Sequence, residues 1–186
     1  MQNICKLLYI ALIIFSFPAF SLAGPNSSAT CAIDMDISTT DYNVSGIESR
    51  ASVLPDQLFS VAVVVQNVTN LDTYQLDIVY DPEVLAFIKA VEDDPVAAGL
   101  TNILKKNDGN TLGFTGRKIQ SGKINVANTL IGKNVDQAPE GSGIICILTF
   151  KRVKPEPTVL SVSNVRFIDS SGEQDVIDQK FNGYID

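Results

Sequence analysis

The segment that decides the fold is Tyr74-Gln75-Leu76-Asp77-Ile78-Val79-Tyr80-Asp81-Pro82-Glu83-Val84-Leu85. From position 74 to position 80 every even-numbered side chain is apolar or aromatic, and two of the three odd-numbered ones are polar. A period of two places alternate side chains on opposite faces of a β-strand, so one face of this strand packs against a core. Pro82 has no amide hydrogen to give to a strand ladder, so the strand ends there and a second apolar segment begins at Val84.

Segments with this period recur along the chain. They cover residues 31–38, 58–66, 73–80, 84–91, 111–115, 123–131, 144–153 and 158–168, and clusters of Gly, Pro, Asn, Asp and Ser separate them. No segment shows a helical period over three turns. The pattern predicts an all-β, antiparallel sandwich of eight or nine strands. Its expected core residues are Phe59, Val61, Val63, Leu76, Ile78, Tyr80, Leu148, Phe150 and Phe167.

One predicted strand changes parity along its length. Between Leu160 and Phe167 the apolar positions move from even to odd numbers, which requires one extra residue in the strand. The sequence therefore predicts a β-bulge at Ser163-Asn164.

Residues 1–23 have the composition of a secretory signal peptide. Lys6 gives a positive start, residues 7–20 are apolar, and Ser21-Leu22-Ala23 fits a cleavage site between small residues. We therefore expect export to an extracellular or periplasmic location, with no membrane anchor in the mature chain. Residues 24–30 are expected to form a flexible leader, and residues 31–186 a single domain.

The composition excludes several classes of function. The chain has 14 Lys and Arg residues against 21 Asp and Glu residues, a net charge of −7, so nucleic acid and anionic lipid would be repelled. It contains no histidine, which removes Ser-His-Asp and Cys-His catalysis and histidine metal sites. The acidic pairs Asp34/Asp36 and Asp93/Asp94 are expected to be solvated surface charge. Segment 169–175 is expected to be a hairpin turn, because its glycine comes too early for a calcium loop. We therefore expect no enzyme activity, no cofactor and no bound metal.

Two cysteines remain after the predicted signal peptide. Cys31 and Cys146 form an even pair in an exported chain, which suggests a disulfide. Alternation places both thiols inward, and cysteine is among the most buried residue types, so two buried free thiols are the alternative. A bridge would require the two α-carbons to lie within about 7 Å of each other.

Ordered motifs in residues 32–177 resemble the cohesin domain, in its single-domain secreted form. The motifs are Phe59-x-Val61-x-Val63-x-Val65, Asn70-Leu71, Tyr80-Asp81-Pro82 with Leu85, Gly143 before Leu148 and Phe150, and Val165-x-Phe167-x-Asp169-x-x-Gly172. The resemblance implies a jelly-roll sandwich, similar in fold to several carbohydrate-binding modules, that binds a dockerin, a small calcium-loaded helical module. It implies a binding face on the third, fifth, sixth and eighth strands. It also places Cys31 and Cys146 toward opposite ends of the sandwich, which favours free thiols.

Alternation predicts which side chains lie on that face if the strand at 144–153 is the eighth. The predicted partner-binding residues are Thr73, Gln75, Asp77, Val79, Asn125, Ala127, Thr129, Ile145, Ile147 and Thr149. A soluble monomer seldom leaves Val79, Ile145 and Ile147 together on an exposed sheet face, which indicates a contact patch. The alternative is that a loop such as 93–106 covers these side chains.

These observations predict a secreted, non-catalytic module that binds a dockerin-like protein or another cell-surface or extracellular protein. A carbohydrate-binding module of the same sandwich class, with a polysaccharide ligand and a role in polysaccharide catabolism, is the alternative. That alternative needs exposed aromatic rings to stack on sugar rings, and only Tyr42 and Tyr184 are left for this purpose. A structural subunit of a surface assembly is the third interpretation.

Overall fold

The computed structural model describes residues 23–38, 46–94, 100–132 and 135–186. Apart from Ala23, the predicted signal peptide lies outside these ranges. The strands in the described ranges are β1 (Thr30–Asp34), β2 (Arg50–Ala51), β3 (Leu58–Val68), β4 (Leu71–Val79), β5 (Leu85–Val91), β6 (Thr115–Gln120), β7 (Lys123–Thr129), β8 (Gly141–Arg152), β9 (Thr158–Asp169), β10 (Gln174–Val176), β11 (Gln179–Phe181) and β12 (Gly183–Ile185). Eight of them have five residues or more, and the other four have two or three. A single turn of 3-10 helix, Ile103–Lys105, lies between β5 and β6.

The strands form two sheets that pack face to face. The first sheet has the order β11-β1-β3-β8-β5, and the second has the order β2-β12-β9-β4-β7-β6, with β10 paired to the C-terminal end of β9. Neighbouring strands are antiparallel except for two short pairs, β1 with β11 and β2 with β12. The predicted all-β antiparallel sandwich is confirmed.

The core lies between the inward faces of the two sheets. Eight of the nine predicted core residues are buried there, and the ninth, Phe59, is half-buried. The Phe59 ring stacks on the Phe150 ring with 5.9 Å between their centroids. Phe150 also meets the rings of Tyr80 and Phe87 edge-on at 5.4 and 5.8 Å. The aromatic cluster joins β3, β5 and β8 to the end of β4.

A second apolar cluster covers the outer face of the first sheet. Its buried members are Ala32, Ala62, Val64, Leu100, Ile144 and Ile147. Ile37 and Ile47 pack against this cluster from the connection between β1 and β2, and Leu100 comes from the connection after β5. Loops therefore shield the outer face of the first sheet from solvent at these positions.

The segment before β1 is packed, and the predicted flexible leader is wrong for it. Asn26 is fully buried, and its backbone N–H donates to Asp175 Oδ2 at 2.8 Å. Its side-chain amide accepts from the Thr69 N–H at 2.8 Å and donates to the Thr69 carbonyl at 3.0 Å. One amide side chain thus satisfies both backbone groups of a turn residue, which fixes the leader against the end of β3.

Two of the bulges in the sheets bear on the predicted alternation. The bulge predicted at Ser163-Asn164 is present: the pairing of β4 with β9 shifts there, and Asn164 has a φ of 50°. The second bulge, at Ile145 on β8, has no counterpart in the prediction. Val63 pairs with Cys146 while its neighbour Val64 pairs with Ile144, so Ile145 is the extra residue. An extra residue reverses the alternation of the strand at that point.

The strand β6 lies later in the chain than the predicted segment 111–115. It is an edge strand whose side chains are nearly all exposed, so it carries no alternation of apolar and polar residues. Thr111 instead forms a single bridge with Leu130.

Cys31 and Cys146 are free, buried thiols. They do not lie at opposite ends of the sandwich: Cys31 pairs with Val65 and Cys146 with Val63, on the two sides of β3. Because adjacent strands are about 4.8 Å apart, two cysteines separated by a whole strand lie about 9.6 Å apart or more. A disulfide requires α-carbons within about 7 Å, so the intervening strand prevents the bridge.

Candidate functional site

The outer face of the second sheet is a regular grid of side chains from β9, β4, β7 and β6. We call this surface the polar face. Its rows, read from β9 across β4 and β7 to β6, are Ile168-Thr73-Thr129, then Arg166-Gln75-Ala127-Thr115, then Ser163-Asp77-Asn125-Arg117, then Ser161-Val79-Lys123-Gln120. Their even-numbered neighbours on β4, Tyr74, Leu76 and Ile78, point the other way and are fully buried. The alternation predicted for β4 and β7 therefore holds.

Seven of the predicted partner-binding residues lie together on the polar face. They are Thr73, Gln75, Asp77 and Val79 on β4, and Asn125, Ala127 and Thr129 on β7. Thr73 pairs with Thr129, Gln75 with Ala127 and Asp77 with Asn125.

The other three predicted residues, Ile145, Ile147 and Thr149, do not lie on the polar face. They belong to β8, which is in the first sheet, so their placement was wrong. Among the eight long strands β8 is the seventh and β9 is the eighth, so the count along the chain was one too high. Ile145 lies in the main core because of its bulge. Ile147 is buried in the outer cluster with Leu100, so the alternative of a covering loop is correct there.

Thr149 is half-buried in the first sheet, where its hydroxyl lies 2.9 Å from that of Ser60. The residues that take the place of these three on the polar face come from β9. They are Ile168, Arg166, Ser163 and Ser161. The parity of β9 on each side of its predicted bulge was the signal that could have identified them.

Asp77 holds the centre of the polar face in place. Its carboxylate accepts hydrogen bonds from Asn125 at 2.9 Å and Asn164 at 2.7 Å, and it forms an ion pair with Lys123 at 2.8 Å. Burial disfavours the charged form of Asp77, but the bonds from Lys123, Asn125 and Asn164 outweigh burial and lower its pKa. The ionised carboxylate therefore joins three neighbouring strands and stiffens the centre of the grid.

Two arginines on the polar face have no charged partner. Arg166 and Arg117 are exposed, and neither forms an ion pair with any residue in the described ranges. The other two arginines are occupied: Arg50 pairs with Asp186 at 2.9 Å, and Arg152 is buried. The fold thus collects cationic side chains on one face of an acidic chain, which the linear sequence did not reveal.

The acidic pairs serve the structure, and the expectation of solvated charge was wrong for Asp34. Asp34 is fully buried, and its Oδ1 accepts from the backbone N–H groups of Asp36 and Glu48 at 3.2 and 3.3 Å. Asp93 accepts from the Asn102 N–H at 2.6 Å and pairs with Lys105. Within the described ranges no cluster of three or more His, Cys, Asp or Glu residues could hold a metal ion. The described residues also contain no helix that is long and apolar enough to cross a membrane.

Exposed aromatic rings do not form a platform in the described ranges. The guanidinium of Arg50 lies over the Tyr184 ring, 5.0 Å from its centroid. Phe181 is 54 % exposed but lies on β11, at the edge of the first sheet and away from the polar face. Tyr42 lies outside the described residues.

No protein-family model matches the sequence, and no curated protein matches it. Solved structures of cohesins do match the fold. A non-cellulosomal cohesin from Archaeoglobus fulgidus has a TM-score of 0.57 at 15 % identity, with 84 % of this chain and 88 % of that one covered. The fold is cohesin-like. A type II cohesin from the Acetivibrio cellulolyticus cellulosome gives 0.59 at 17 % identity, covering 84 % of this chain and 94 % of that one. A Clostridium thermocellum cohesin OlpA, solved in complex with dockerin 918, gives 0.60 at 14 % identity and covers 85 % and 97 %.

The strands of the polar face can be compared with those on which the sequence predicted a binding face. If the two-residue β2 is left out, then β4, β6, β7 and β9 are the third, fifth, sixth and eighth strands. These are the strands on which the resemblance in sequence implied a binding face.

Proposed function

We propose that the chain is a secreted, non-catalytic module that binds a dockerin-like protein through the polar face. The observation that carries the proposal is the polar face itself: an uncovered grid of four adjacent strands with two exposed, unpaired arginines. Arginine is enriched at protein interfaces and among the residues that contribute most to binding. The matched OlpA cohesin, which was solved with its dockerin, supports a partner of this type.

The two outer sheet faces differ, and the difference supports the choice of face. Loops and apolar side chains cover the first sheet at Ile144 and Ile147. On the second sheet Val79 is 40 % exposed and Arg166 and Gln75 are also exposed. A partner can therefore approach β9, β4, β7 and β6 without displacing any described segment.

A protein ligand accounts for this surface better than a polysaccharide does. Sugar-binding faces stack pyranose rings on exposed aromatic side chains. The polar face has no aromatic residue in its rows, and Tyr184 is covered on one side by Arg50. Arginine, by contrast, is enriched in protein interfaces.

Export and the absence of catalysis rest on the sequence. Residues 1–23 fit a signal peptide, and the chain has no histidine. The described acidic pairs are engaged with backbone amides and lysine, which leaves them no role as a pair of free carboxyls across a cleft.

The test is capture followed by identification. The purified chain is immobilised and exposed to culture supernatant of the source organism, and each captured protein is identified and purified. The proposal expects a defined protein that binds in solution with one-to-one stoichiometry. Retention in polysaccharide-containing gels, with no protein captured, would instead support the carbohydrate-binding alternative.

A further inference from the structure

A buried carboxylate with an unused oxygen lies behind one end of the polar face. Asp72 is 8 % exposed, and its Oδ1 is the one buried side-chain oxygen or nitrogen in the described ranges without a hydrogen-bond partner. No Lys or Arg in those ranges forms an ion pair with it. A buried carboxylate is costly unless donors or a cation compensate it, and Oδ1 of Asp72 has neither.

The hydroxyls next to Asp72 are already committed as donors. Asp72 Oδ2 accepts from the hydroxyl of Thr73 at 2.8 Å and from that of Thr129 at 3.4 Å. The two hydroxyl oxygens lie 2.6 Å apart. The Thr129 hydroxyl also has the Leu130 carbonyl as an acceptor at 3.4 Å. Each hydroxyl has one hydrogen and two lone pairs, so hydrogens directed to Asp72, to each other or to this carbonyl leave only lone pairs for an incoming group. The pair therefore presents acceptors alone, backed by a negative charge.

Thr73 and Thr129 line a depression of about 160 Å³ on the polar face. Leu112, which is 64 % exposed, and Ala127 form its apolar lining. A volume of this size takes the end of one side chain, and an apolar wall suits the aliphatic stem of a long basic residue.

We propose that this depression receives the ammonium or guanidinium group of a lysine or arginine from the protein partner. The proposal rests on the proposed function and specifies the chemistry of the partner at that face. A cation has donors and no acceptors, so it matches the lone pairs of the two hydroxyls, and the negative charge of Asp72 lies behind them, outside the lining of the depression. An anion would be repelled by Asp72. Arg166 lies one row from the depression and Arg117 lies two rows from it. Both arginines favour acidic groups on the partner, so the depression and the arginines together fix the orientation of the partner.

The test uses n-butylammonium chloride as the probe and n-butanol as its neutral counterpart. Each is titrated into the isotope-labelled chain, and amide and methyl NMR shifts are followed. We expect saturable shifts at Thr73, Leu112 and Thr129 with n-butylammonium and none with n-butanol. Asp72→Asn should weaken binding about tenfold or more, a change of about 1.4 kcal/mol, because it removes the negative charge behind the two hydroxyls.

Two further variants keep the outcome decisive. Asp178→Asn removes one exposed carboxylate outside the polar face, gives the same net charge as Asp72→Asn, and should leave binding unchanged. Thr129→Val tests the same depression if Asp72→Asn does not fold, and should also weaken binding. The absence of saturable shifts, equal shifts with n-butanol, or equal weakening by Asp178→Asn would overturn the proposal. If n-butylammonium binds as expected but no protein is captured, the proposed function fails while the chemistry of the depression stands.

Discussion

Tyr74 shows how one buried polar side chain ties the two sheets together. Its hydroxyl donates to the Ile145 carbonyl at 2.8 Å, which joins β4 in the second sheet to β8 in the first. The Asn102 amide donates to the Tyr74 hydroxyl at 2.6 Å and to the same carbonyl at 2.5 Å. The bulge leaves the Ile145 carbonyl outside the strand ladder, and Tyr74 and Asn102 supply its hydrogen bonds.

Tyr74→Phe should destabilise the fold although it removes only one oxygen. The change leaves the Ile145 carbonyl with one donor fewer and the Asn102 amide without its hydroxyl acceptor. Leaving buried polar groups unsatisfied costs about 1–3 kcal/mol, so we expect a loss of unfolding free energy in that range. Urea unfolding measures it, and an unchanged midpoint would show that the bonds contribute nothing.

The buried thiols predict a specific loss of stability in alkali. Burial raises the pKa of Cys31 from 9.0 to about 12, against the opposing effect of Lys180. Burial also raises the pKa of Cys146. In the unfolded chain a thiol ionises near its ordinary pKa, so unfolding releases protons between about pH 9 and pH 12 and stability falls as the pH rises through that window.

The expected slope is about 1.4 kcal/mol per pH unit for each thiol inside the window. Unfolding free energies measured by urea from pH 8 to pH 11 should therefore decline more steeply for the wild type than for Cys31→Ala/Cys146→Ala. Parallel curves for the two proteins would contradict the burial of the thiols.

At the scale of the element, alternation predicted β4 and β7 of the second sheet well and failed where the strand pattern is irregular. Segments 73–80 and 123–131 alternate at most positions, and their inward and outward faces were assigned correctly. On β8 apolar side chains occupy both faces, because loops cover the outer one, so the pattern has no exposed side to reveal. The bulge at Ile145 then depends on Tyr74 and Asn102, which are distant in sequence.

The strand count failed for a different reason. Segment 144–153 is the seventh of the eight periodic segments and 158–168 is the eighth, so the position of β8 in the strand order could be read from the sequence. The short strands β11 and β12 follow β8 and do not change its position. Only three-dimensional pairing placed β8 and β9 in different sheets.

Arg152 at the end of β8 fixes the connections at one end of the sandwich. It is buried, and its guanidinium donates to backbone carbonyls of Val53, Lys154, Pro155, Glu156 and Asp186. These acceptors come from the connection before β3, the loop after β8 and the residue after β12. A planar group with five donors is suited to bind carbonyls in several directions at once.

Arg152→Lys should therefore destabilise the protein while keeping the charge. A lysine ammonium has three donors on one nitrogen and cannot reach all of these carbonyls, so some remain unsatisfied. We expect a loss of about 2 kcal/mol or more, because several buried acceptors lose a charged donor. Lys151→Arg, the neighbouring change at a half-buried position, is the matched control and should have little effect on the urea midpoint.

At the scale of the whole molecule, the two sheets have different roles. Loops cover the outer face of the first sheet around Ile144 and Ile147, and the second sheet presents the polar face, stiffened by Asp77 and carrying Arg117 and Arg166. Ile147 is buried, so a charge placed there would disrupt folding and would not report on binding. A test of the interface therefore has to use exposed positions on β9, β4, β7 or β6.

The measurement that tests the central claim most directly is a titration of the captured partner, by isothermal calorimetry, into Arg166→Glu and Lys180→Glu. Arg166 is on the polar face, and Lys180 is on β11 at the far edge of the other sheet, so the two variants change the net charge equally at different places. We expect Arg166→Glu to weaken binding about tenfold or more, since residues central to an interface cost over 1 kcal/mol when altered. Lys180→Glu should bind as the wild type does. Equal affinities for all three proteins, or weakening by Lys180→Glu alone, would contradict the assignment of the binding face.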